Sequence, residues 1–93
     1  MTKKRATAEE RKWMQRVSEL SCAACGAYEV TVHHCRINTG MGIRPSHYQT
    51  IPLCHHHHQG AEGIHTIGIR TWEAKYGTQS ELLEKTKELL CTQ

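Results

Sequence analysis

The chain has 93 residues, 12 Lys and Arg against 9 acidic residues for a formal charge of +3, no Phe, two Trp and three Tyr. A chain of this length fits one domain with a modest core, and the scarcity of large apolar side chains makes metal cross-links the natural supplement. No apolar run approaches the length needed to span a bilayer, and the mild basic excess tolerates a polyanion without requiring one. Five cysteines are an odd number, and Met1-Thr2-Lys3-Lys4-Arg5 leads into a polar helix pattern without an apolar signal run. A cytoplasmic, reducing setting is therefore expected, where Cys-x-x-Cys means metal or redox work more often than a disulfide.

Thr7-Ala8-Glu9-Glu10 has the form of a capping box, and Trp13, Met14, Val17 and Leu20 recur at helical spacing, predicting a helix from about Ala8 to Leu20. Arg11, Lys12 and Arg16, with Lys3, Lys4 and Arg5 upstream, form either a solvated basic face or a phosphate-contacting one. Cys22-Ala23-Ala24-Cys25-Gly26 follows. Two thiolates at that spacing can point at one ion, with the glycine permitting the turn; a thioredoxin-like redox motif would need a βαβ setting that is absent.

Val30 and Val32 alternate with polar residues from Glu29 to His34 and predict a strand. The span Arg36 to Tyr48, with Gly40, Gly42 and Pro45, predicts a wide loop, and Thr50-Ile51-Pro52-Leu53 predicts the return strand. A short helix from Cys54 to about Glu62, a loop over Ile64 to Gly68, a helix holding Ile69, Trp72 and Tyr76 up to Gly77, and a last helix capped by Thr78-Gln79-Ser80-Glu81 complete the chain. The fold class expected is α+β, with residues 1–20 as a basic N-terminal helix and 21–93 as the metal-containing core and C-terminal helix.

Cys22, Cys25 and Cys54 with one histidine of the run His55 to His58 make a four-ligand set of the kind a closed structural Zn2+ site prefers. His57 is favoured because it lies three residues after Cys54 on one helical face. His58 is then free for other work, and the hairpin can carry His33 and His34 towards it. Two of these imidazoles can hold a second ion while the third serves as a general base; the alternative is one structural zinc with the remaining histidines solvated. Cys35, Cys91, Trp72 and Tyr76 are expected to be structural or inert.

Cys22-x-x-Cys25, His33-His34, the glycine-containing loop and Ile51-Pro52-Leu53-Cys54-x-x-His57-His58 resemble the HNH (ββα-metal) endonucleases that carry a structural zinc. With Val32 to Cys35, Gly40-Met41-Gly42, His65 and Trp72 to Gly77 added, the pattern is most similar to the phage recombination enhancement function (Ref) family of RecA-dependent nucleases, over roughly Ser21 to Gly77. The resemblance implies a small zinc-stapled, treble-clef-like ββα-metal domain with flanking helices that hydrolyses DNA phosphodiesters with Mg2+, Mn2+ or a second Zn2+. It gives His34 the role of general base, and His33 and His58 those of catalytic-metal ligands. It puts Gln49 where the family has a bracing Asn, and offers His65, ahead of Glu62, as third ligand. It also implies phage or prophage recombination or repair and a RecA-type recombinase filament as partner, although only Lys3 to Arg16 stands where those relatives have a longer recombinase-linked region. A module that binds DNA or adapts other proteins, with weak or lost cleavage, is the alternative, motivated by Gln49 and the third ligand.

Overall fold

A computed structural model describes residues 6–36 and 46–91. Gly40, Met41, Gly42, Arg44 and Pro45 of the wide loop, and the basic Lys3, Lys4 and Arg5, lie outside the described residues. The element order is α1 (Ala8–Ser18), β1 (Val30–His34), β2 (Thr50–Cys54), α2 (His55–His58), α3 (Ile64–Ile67), α4 (Ile69–Tyr76) and α5 (Gln79–Cys91). The fold is α+β, a two-stranded antiparallel ribbon with helices around it.

The first helix begins where its capping box dictates: Thr7 Oγ1 accepts from Glu10 N–H at 3.1 Å, and Glu10 Oε1 accepts from Thr7 N–H at 2.7 Å. It ends at Ser18 rather than Leu20, because Glu19 and Leu20 donate to the carbonyls three residues back and tighten the final turn. Val17 is fully buried from this helix, and Arg16 reaches the Leu90 carbonyl of α5. Arg11 donates to the Ala6 carbonyl, so two of the three α1 cations of the predicted basic face have partners within the chain.

Strands β1 and β2 pair with Val30 opposite Cys54 and His34 opposite Thr50. Ala23 N–H donates to the Pro52 carbonyl at 2.9 Å, which ties the Cys-x-x-Cys turn to β2. Ile51, Leu53, Cys35, Ile64, Trp72, Leu82 and Leu83 form the core. Trp72 is fully buried and its indole N–H donates to the His57 carbonyl at 3.0 Å, so its polar edge is satisfied within the core.

Two expectations after the hairpin are corrected. The helix expected from Cys54 to Glu62 is only the turn His55–His58, with Cys54 as its N-cap. Gly60 folds back so closely on α2 that a Cβ there would lie 2.7 Å from His56 Cα, and this close approach replaces further helical growth. The span expected as a loop, Ile64 to Gly68, contains the single turn α3, stopped where Gly68 adopts φ +91°. The last helix starts as expected: Glu81 N–H donates to Thr78 Oγ1 at 3.1 Å and Thr78 N–H to Glu81 Oε1 at 3.0 Å.

Candidate metal centres

Four ligand atoms of Cys22, Cys25, Cys54 and His57 lie within 4.8 Å of one another. The Cys-x-x-Cys turn presents its pair because Gly26, at φ +81°, lets the chain reverse while its N–H bonds the Cys22 carbonyl at 2.8 Å. Cys54 N-caps α2, and His57 Nδ1 sits 3.2 Å from Cys54 Sγ. The Cys25 and Cys54 sulfurs are 3.8 Å apart. A tetrahedral ion with Zn–S bonds of about 2.3 Å sets S···S edges of about 3.8 Å, so the cluster fits a metal such as zinc. Burial raises the Cys22 thiol, but N–H groups of Cys54, Ala24 and Cys25 directed at its sulfur outweigh that effect and lower its pKa towards the thiolate. Burial, then the neighbouring His56, lowers His57 and keeps its ring neutral, the form a metal needs.

A second group, His33, His58 and His65, also holds its ligand atoms within 4.8 Å of one another. Thr31 and His33 share one side of β1, as the two-residue repeat of a strand requires, and both face His58 of α2. Ring centroids of His65, on α3, lie 5.2 Å from His33 and 4.9 Å from His58.

Hydrogen bonds around this triad determine which nitrogens carry protons. Gln79 Oε1 faces both the Arg36 backbone N–H, at 3.3 Å, and His33 Nε2, at 3.0 Å. A backbone N–H only donates, so that amide atom is the oxygen and His33 must be protonated at Nε2. The Thr31 hydroxyl proton goes to the Leu53 carbonyl at 3.0 Å, which leaves its oxygen to accept from His58 Nδ1–H at 2.6 Å. The remaining nitrogens, His33 Nδ1 and His58 Nε2, are therefore both lone-pair acceptors, and they face each other at 3.3 Å. Only a cation between them makes that arrangement favourable. Burial pushes His33 down to about 4 and also lowers His58, which favours the neutral rings a metal ion could use, and with His65 they form a group that could hold one. Two nitrogens bound tetrahedrally at about 2.0 Å stand about 3.3 Å apart, which is the observed spacing.

His34 falls on the other side of β1 from His33, and its Nε2 lies 2.9 Å from His47 Nδ1. The Gln49 side chain does not meet it; Gln49 Oε1 accepts from Ser46 N–H at 3.2 Å and braces the turn that carries His47. Glu62, the other third-ligand candidate, is engaged by Lys75 in an ion pair and by the Tyr76 hydroxyl at 3.0 Å, outside the histidine triad. Cys35 is buried, its thiol pushed up to about 12 by desolvation and then by Glu73, and it behaves as a small apolar side chain. Sequence reasoning passed over Thr31, His47 and Gln79. Their only signal is residue type, since their partners lie 27, 13 and 46 residues away.

The fold and these clusters define a small α+β protein with a Cys3His group able to bind a metal such as zinc. Residues 1–90 match the DUF968 family, described as a protein of unknown function, and the chain belongs to that family. No curated protein matches it. Among the described residues no helix is long and apolar enough to cross a membrane.

Proposed function

We propose that the protein is a metal-dependent DNA endonuclease of HNH (ββα-metal) type, similar to the Ref nucleases, stapled by a structural Zn2+ on Cys22, Cys25, Cys54 and His57. The observation that carries this reading is the pair of facing lone pairs on His33 and His58, with His65 beside them. A closed four-ligand set suits a structural ion, whereas three protein ligands leave a position open for a reactant. The all-imidazole set favours Zn2+ over Mg2+ or Mn2+, which suit oxygen ligands. A divalent ion held there would polarise a phosphodiester and offset charge on the departing oxygen. The chain's own residues would do the rest. His33 and His58 orient the site through protons fixed on Gln79 and Thr31, and His34, at the end of β1, accepts the proton of the attacking water. DNA is the expected partner; phage recombination or repair and a RecA-type filament follow only from the Ref resemblance.

The second reading, a zinc-stapled DNA-binding or adaptor module with little cleavage, is favoured by one observation: His34 and His33 project to opposite sides of β1. Conversion of supercoiled plasmid to the nicked form with Zn2+, Mn2+ or Mg2+ separates the two. The nuclease reading expects divalent-dependent nicking lost in His58→Ala and reduced about 100-fold or more in His34→Ala. DNA binding without nicking under any of the three metals supports the module instead.

A further inference from the structure

We propose that His47 is the positioning residue for His34, accepting a hydrogen bond from His34 Nε2–H at its own Nδ1 and so leaving the His34 Nδ1 lone pair for proton abstraction. The hydrogen bond itself stands on geometry; its direction and its significance for cleavage rest on the nuclease reading above, and the direction is read independently by the experiment below. The two nitrogens are 2.9 Å apart and the rings meet edge to face, with centroids at 5.1 Å and an interplanar angle of 73°. One proton lies between them, so only two arrangements exist. If His47 donated, the His34 proton would sit on Nδ1 and the only other ring nitrogen would be occupied by His47, leaving no basic site. If His34 donates, Nδ1 is a free base, and after it takes a proton from water the resulting imidazolium keeps its Nε2–H on the His47 lone pair.

The turn that carries His47 is built to hold it. Ser46 N–H donates to Gln49 Oε1, Gln49 N–H to the Ser46 carbonyl at 3.0 Å, and Tyr48 N–H to Ser46 Oγ at 3.1 Å. Thr50 Oγ1 donates to the His47 carbonyl itself at 3.1 Å, and Cys35 N–H to the Gln49 carbonyl at 2.8 Å, joining the turn to the end of β1 beside His34. In this arrangement Gln49 acts on the base indirectly, through the turn that presents His47.

Ring nitrogen-15 NMR of the full chain reads the tautomer without any need for activity. The expected result is His34 protonated at Nε2 with a bare Nδ1 in the parent and in His47→Asp, which keeps an acceptor, and a mixture of tautomers in His47→Ala. His34 protonated at Nδ1 in the parent, or a tautomer unchanged in His47→Ala, would overturn the proposal. Nicking kinetics add a second reading on the same variants: kcat is expected to fall about 10-fold or more in His47→Ala at unchanged KM, with recovery in His47→Asp. Parent nicking with no loss in His47→Ala counts against the positioning role, whereas a parent that does not nick refutes the nuclease reading and leaves the NMR result to decide the hydrogen bond.

Discussion

His33 has two hydrogen-bonding nitrogens and two different tasks for them, one proton held on Gln79 and one lone pair aimed at His58. Gln79 is almost fully buried, and its oxygen serves both His33 and the Arg36 N–H. Replacing it by Leu strands two donors and removes the group that fixes the His33 tautomer. We expect a stability loss of about 1–3 kcal/mol by urea denaturation, together with about 10- to 100-fold weaker binding of the second metal equivalent in a Co2+ titration. The pH dependence has a definite sign. Burial holds the folded His33 at about 4, below the value of about 6.5 for an unfolded histidine, so the unfolded state binds more protons between those limits. Stability of the metal-free protein should therefore be fully present above pH 6.5 and fall on acidification towards pH 4, with a shallower slope in His33→Gln.

At the scale of elements, the two candidate metal centres meet in α2, whose four residues contribute His57 to one group and His58 to the other. This turn is held short and in place by glycines. A Cβ on Gly63 would sit 2.5 Å from the His58 carbonyl oxygen, so Gly63→Ala must push the backbone of a second-site ligand. The expected outcome is weaker binding of the second metal equivalent in a Co2+ titration, with the thiolate-to-Co2+ absorbance of the first retained. The capping boxes, the strand alternation and the Cys-x-x-Cys turn were legible in the sequence because each is a local rule written in three to six residues. The Cys3His set was legible as well, since its half-sites have metal spacing and a hairpin between them. The termination of α2 was not: its physical cause is Gly60 packing on His56 backbone, a tertiary close approach. His47 and Gln79 were hidden for the same reason, since no sequence periodicity links a turn residue to the end of β1 or a helix start to the middle of it.

For the whole molecule, α1 lies on the ribbon and reaches α5, while the Cys-x-x-Cys turn, β2 and α2 converge on the Cys3His cluster. An ion there closes a link between the segment before the hairpin and the segment after it. Cys54→Ser should consequently lower the thermal midpoint and broaden the transition followed by circular dichroism, and a chelator should do the same to the parent. Loss of the ion from the histidine triad should leave the far-ultraviolet spectrum intact, because those ligands sit on elements already fixed by Trp72 and the core. On the proposed reading the two centres differ in what their removal costs, fold in one case and chemistry in the other. Adding Zn2+ stepwise to the chelated protein, with plasmid nicking measured at each ratio, tests that division directly. No nicking is expected while the first equivalent fills the cysteine cluster, and nicking should rise as the second equivalent binds; activity complete at one equivalent, or none at two, would contradict it.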